Sequence, residues 1–128
     1  VSRARDHGQS TVELAIVLPV VVVLLLLVVQ FALVIRDQVL VVHAAREAAR
    51  SASVAATDDR SEAARRGGTG AGPLDPDRLR VTEAVLPGNQ RVRVRIDYVS
   101  RTDLPLVGAL LPDVDLSSDA TMRLESDQ

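Results

Sequence analysis

The chain contains no cysteine and no lysine in 128 residues. Without cysteine there can be no disulfide framework, no thiolate nucleophile and no cysteine-ligated zinc, and the redox compartment stays open. Without lysine, Schiff-base chemistry and the phosphate-binding lysine loop are excluded, so all fifteen basic residues are arginine. Aromatic side chains number two, Phe31 and Tyr98, too few to build stacking platforms for bases or sugars. A formal charge of −2 gives no general attraction to nucleic acid or to acidic lipid. No nucleophile, base and orienting group occur together in a readable pattern, so the expectation is a protein that is not an enzyme and uses no cofactor. The chain opens on Val1, as an alternative start codon or trimming would leave it.

What the chain does have is one long apolar run. Residues 14–35 carry no formal charge over 22 positions. As a helix rising 1.5 Å per residue they span about 33 Å, enough to cross a bilayer core of roughly 30 Å. Residues 1–8 form a short polar leader with Arg3 and Arg5, and the run ends at Ile35-Arg36-Asp37, a stop-transfer pattern. An ordinary secretory signal has a shorter apolar region of about 7–15 residues followed by a small-x-small cleavage site, so that reading is rejected. Arginines flank the run on both sides, and their count does not choose an orientation. The short leader favours a cytoplasmic N-terminus and an extracytoplasmic C-terminal domain. Pro19 lies inside the run, frees the carbonyl of Ala15 and favours a local helix kink.

Beyond the run, residues 38–56 are rich in good helix formers. His43, Arg46, Glu47 and Arg50 share one stripe, and Val41, Ala45, Ala48, Ala52 and Ala55 the opposite one. One helix over residues 11–57 would measure about 70 Å, its outer half presenting a narrow alanine face suited to close packing. Residues 58–76, centred on Gly67-Gly68-Thr69-Gly70-Ala71-Gly72-Pro73, read as a Gly-rich linker. No strand precedes its Gly-x-Gly-x-Gly and no lysine follows, which disfavours phosphate binding.

From residue 77 the period becomes two. Residues 79–86 and 91–98 predict strands joined by a four-residue turn at Pro87-Gly88. In the second, Val92, Val94, Ile96 and Tyr98 alternate with Arg91, Arg93, Arg95 and Asp97. Residues 104–111 predict a small helix or lid, and 120–125 a third strand. The expected fold is therefore α+β: a long N-terminal transmembrane helix extending outward, then a small three-stranded antiparallel sheet with one short helix. The domains are a leader (1–8), the helix (9–57), the linker (58–76) and a small extracytoplasmic β-rich domain (77–128). Such a sheet gains little from its own core and needs the helix or a partner to cover one face.

The membrane entrance is the most informative site. Ser10-Thr11-Val12-Glu13 fits a capping box, with Ser10 as N-cap and Glu13 reaching back to its amide. The same residues follow a glycine, as Gly8-Gln9-Ser10-Thr11-Val12-Glu13. Together with the apolar run, the Ala-Arg-Glu-Ala-Ala-Arg stretch at 45–50 and the closing Thr-Met-Arg-Leu-Glu at 121–125, they resemble type IV prepilins and, more closely, TadE-like pilus-assembly proteins, which are pseudopilins. The resemblance implies cleavage by a prepilin peptidase after Gly8, a mature start at Gln9, and Glu13 as an assembly carboxylate. It also implies pilus platform membrane proteins and other pseudopilins as partners, the cytoplasmic (inner) membrane as location, and a role in a tight-adherence pilus. The other reading is an uncleaved single-pass membrane protein whose outer domain binds a ligand or protein. Remaining candidates are weak. His7 and His43 lie on opposite sides of the expected membrane and cannot share a metal. Asp113, Asp115, Ser117 and Asp119 loosely resemble a calcium loop, but Ser118 stands where glycine is required and Leu124 at the closing position, so a solvated acidic turn is expected. The row of Arg91, Arg93 and Arg95 is expected to pair across strands with Glu83, Glu125 and Asp97.

Overall fold

The computed structural model describes the backbone of residues 3–9 and the backbone and side chains of 10–88, 90–105, 108 and 111–125. One helix, α1, runs Arg3–Val54. A short helix, α2, spans Arg60–Gly70, and three strands follow: β1 Leu79–Val85, β2 Arg91–Ser100 and β3 Val114–Arg123. The strands form one antiparallel sheet in the order β1-β2-β3. The class is α+β, with the long apolar helix, the three-stranded sheet and one short helix. The chain divides into two compact units, one of Val1–Leu33 with Thr102–Pro112 and the other of Val34–Arg101 with Asp113–Gln128.

The second unit is built on β2. Its alternation puts Val92, Val94, Ile96, Tyr98 and Ser100 on the buried face and the arginines outside. The register sets Val81, Ile96 and Ser118 side by side, and likewise Leu79, Tyr98 and Leu116. Against this face lies the alanine stripe of α1, with Val41, Ala44, Ala45, Ala48, Ala49 and Ala52 all at 0% exposure. Small side chains let the helix backbone approach the sheet closely, and β-branched and aromatic residues of β2 fill the space between. Ser100 Oγ donates to Asp37 Oδ2 at 2.7 Å, and the Glu125 amide donates to the Ser53 carbonyl at 3.1 Å. These bonds tie both ends of the sheet to α1. Between β1 and β2 the turn behaves as its residues dictate, since Gly88 takes φ +95°, the left-handed value a type II turn needs at that position.

Several local expectations change. The helix begins at Arg3, so Ser10 lies inside it and is not the N-cap of a capping box. Residues 58–76, expected as a Gly-rich linker, instead contain α2, and this is where the short helix of the fold is found. Its glycines serve packing. A Cβ on Gly67 would meet Ser51 Oγ at 2.5 Å and the Glu47 carbonyl oxygen at 2.9 Å, and one on Gly68 would meet Ile96 Cδ1 at 3.1 Å. Helix propensity alone predicts that Gly67→Ala stabilises α2 by about 0.5–1 kcal/mol. Overpacking against a backbone oxygen works the other way by about 1–3 kcal/mol and wins. Gly67→Ala is therefore expected to lower the midpoint of thermal unfolding followed by circular dichroism.

Strand β3 starts at Val114, six residues earlier than expected, so Asp113–Asp119 is no acidic turn or calcium loop. Asp115, Ser117 and Asp119 alternate along the exposed face of a strand, with Leu116 pointing the other way. The arginine row meets one of its expected partners, Asp97, along the same strand, and one other, Asp119, across strands. Arg95 Nε bonds Asp97 at 3.0 Å and Arg93 Nε lies 3.7 Å from Asp119. Glu83 pairs with Val94 on the opposite, half-buried face. These exposed pairs contribute little. On α2, Glu62 accepts from Arg65 at 2.7 Å, and this hydrogen bond holds its carboxyl below the ordinary value of 4.5. That small contribution is complete above the ordinary glutamate range and is lost as the pH falls through the lowered value. The helix or lid expected at 104–111 lies largely outside the described residues. Those described form a turn in which the Gly108 amide donates to the Leu104 carbonyl at 2.9 Å.

Candidate membrane anchor and assembly site

Residues 10–35 belong to α1, and their side chains point almost everywhere into open space. Leu14, Ile16, Leu25 and Phe31 are 61–68% exposed. No part of the most apolar stretch is buried by the rest of the chain, although the helix is long and apolar enough to cross a membrane. A continuous apolar face of this size exceeds what a water-soluble surface tolerates and calls for lipid or other helices as its cover. The helix passes through Pro19 without ending. Apolar β-branched residues crowd the run (Val20, Val21, Val22, Val23), which water would disfavour in an isolated helix but lipid accepts, because there the backbone must satisfy itself internally.

Glu13 stands at the start of this surface and is exposed. On a helix its neighbours lie three and four positions away, namely Gln9 and Ser10 on one side and Ile16 and Val17 on the other. None carries a positive charge, and the carboxylate has no hydrogen-bond or ion-pair partner among the described residues. Among the described residues, its own helix gives it no cation. Gly8 and Gln9 are part of the helical backbone in the turn just before, and α1 continues through the bond between them.

One polar side chain in the run was not singled out from the sequence. Gln30 is 4% exposed, and its Nε2 donates to Thr102 Oγ1 at 3.1 Å. Thr102 Oγ1 in turn donates to the Pro112 carbonyl at 3.2 Å. The signal was present, because Gln30 is the one amide side chain in a charge-free stretch of 22 residues. Its partner, 72 positions away, was not legible. His43 is exposed on the outer half of α1, and among the described residues no group of His, Asp and Glu could hold a metal ion.

With Gly8, Glu13 and the exposed apolar helix in place, the comparison with known families becomes informative. Residues 8–50 match the TadE-like protein family. No curated protein and no solved structure gives a significant match. The TadE-like segment begins at Gly8, takes in Glu13 and the whole apolar run, and ends at Arg50 within the alanine-lined half of α1. The sheet lies beyond it. It is the family that the entrance residues resemble, and the match covers the one candidate membrane span.

Proposed function

We propose that the chain is a minor pseudopilin of a tight-adherence pilus system, acting structurally in pilus assembly through its N-terminal helix. The observation that carries this reading is a TadE-like segment in which an unpartnered carboxylate, Glu13, stands at the head of an exposed, charge-free helix. A prepilin peptidase cutting between Gly8 and Gln9 would remove Arg3 and Arg5 and leave a free α-amine on Gln9. Gly8 suits that step, since glycine weakens a helix by roughly 0.5–1 kcal/mol relative to alanine and eases the unwinding a peptidase needs. When helices of neighbouring subunits pack side by side, Glu13 enters apolar surroundings and requires a cation. The new amine of an adjacent subunit supplies one and fixes the axial register of the two helices. Other pseudopilins and the platform proteins of the inner membrane are the partners this chemistry fits, with the N-terminus cytoplasmic and the sheet domain outside.

The test is mass spectrometry of the chain extracted from membranes after co-expression with its cognate peptidase. A mature N-terminus at Gln9 is expected. An intact leader would favour an uncleaved single-pass protein whose outer domain binds a ligand or another protein.

A further inference from the structure

We infer that the outer edge of β3, at the end beside the Pro87-Gly88 turn, is a docking site for an extended acidic segment of a partner protein. The inference stands on the sheet unit alone and does not depend on cleavage after Gly8.

The first observation is an open backbone. β3 lies at an edge of the sheet. The Leu124 amide donates to the Gln90 carbonyl at 2.8 Å, which fixes the phase of the ladder. Even-numbered residues of β3 turn their amides and carbonyls toward β2, and odd-numbered ones turn theirs outward. Two outward groups are answered by α1. Gln38 Nε2 reaches the Ser117 carbonyl at 3.5 Å, and the Glu125 amide reaches the Ser53 carbonyl at 3.1 Å. Between these ties, the outward amides and carbonyls of Asp119, Thr121 and Arg123 have no partner among the described residues. No proline or bulge interrupts the strand there, two of the devices by which proteins shut a sheet edge. An open row of this kind is matched by the backbone of another extended chain.

The second observation is charge. Arg91 stands directly opposite Arg123. The ladder phase makes this a non-hydrogen-bonded pair, with Cα atoms about 4.5 Å apart and side chains at their closest. Like charges so placed destabilise a sheet. Arg93 follows on the same face, its Nε 3.7 Å from Asp119. Arg91 and Arg123 have no ion-pair partner among the described residues, and Glu125, exposed two positions on, forms none with either. Carboxylates from a partner would turn this opposition into attraction. On the other face of the edge, Ala120 and Met122 are half-buried, which leaves apolar surface for the alternate side chains of the same segment. The segment that fits therefore has acids on one face and apolar residues on the other. Tyr98, the one aromatic residue of the sheet unit, is buried, so the open face has no stacking platform for a nucleic acid.

The test uses the full chain in phosphatidylcholine nanodiscs and a fluorescent, end-capped peptide, Thr-Glu-Val-Glu-Val-Glu-Thr. Fluorescence anisotropy is expected to show binding, and hydrogen exchange resolved by NMR to slow at the Thr121 and Arg123 amides. The same peptide methylated on alternate amide nitrogens keeps its charge and loses its donors. It is expected to bind at least about tenfold more weakly. Arg123→Glu is expected to abolish binding and, by removing the like-charge pair, to raise the midpoint of thermal unfolding. The second readout separates lost recognition from a lost fold. No anisotropy change at millimolar peptide overturns the inference, as does unchanged binding by Arg123→Glu. Equal binding of the methylated peptide would mean that charge alone is read, and displacement by an oligothymidylate would make the arginines a nucleic-acid contact. Either result overturns it too.

Discussion

Glu13→Ala is expected to leave membrane insertion unchanged and to abolish co-purification with partner pseudopilins. Insertion is driven by the 22 charge-free residues that follow, and deleting one carboxylate at their edge only makes the segment more apolar. Association is different. On the proposed reading, once two helices pack, the Gln9 amine of one subunit and the Glu13 carboxylate of the next are both removed from water. Removing one partner of such a pair costs about 3–5 kcal/mol, because the other charge is left buried and unpaired. That corresponds to an association roughly 100- to several-thousand-fold weaker. Glu13→Gln keeps a hydrogen-bonding group without the charge and should fall in between. Quantitative pull-down from detergent extracts reads the effect, alongside carbonate extraction for insertion. If both variants bind partners as the parent does, the carboxylate has no intermolecular role and the assembly reading is lost.

Ile96→Ala is expected to destabilise the sheet unit by about 2–5 kcal/mol, the usual cost of removing a large aliphatic side chain from a closed core. Ile96 is fully buried at the centre of β2, paired with Val81 and Ser118, and its Cδ1 reaches the position of Gly68 on α2. It therefore joins the sheet to α2, and its loss opens a cavity that a core of alanines cannot close by moving side chains. Domains have only about 5–15 kcal/mol in hand, so the loss is a large fraction of the whole. Tyr98, the single tyrosine in a chain without tryptophan, is buried two positions along the same strand and reports unfolding by its own fluorescence. A urea midpoint unchanged in Ile96→Ala would mean that α1 and the sheet do not share the core described.

The features set by strict periodicity were readable in advance. The apolar run, the alanine stripe of α1, the alternation of β2 and the Pro87-Gly88 turn each follow from side-chain spacing within a few residues. Two kinds of feature escaped. Glycine was read as a breaker at 67 and 68, although there it is the small residue that lets α2 touch α1 and Ile96; sequence alone does not separate glycine that frees a backbone from glycine that makes room. Acidic residues at 113–119 were read as a turn because their charges masked the alternation of Val114, Leu116 and Ser118 underneath. At the candidate site, Gly8, Glu13 and the span were legible as a motif. The bond from Gln30 to Thr102 was not, because nothing local records a partner so far along the chain.

The alanine core also determines how the sheet unit responds to temperature. Among the described residues, six of the thirteen buried apolar side chains are alanine, each exposing little hydrocarbon when the chain unfolds. The heat-capacity increment of unfolding scales with newly wetted apolar area, about 0.45 cal/K/mol for every Å². This unit should therefore fall below the usual ~12–15 cal/mol/K per residue and have a shallow stability curve. Its fold holds by close fit, with a stability that changes gently on warming and cooling alike.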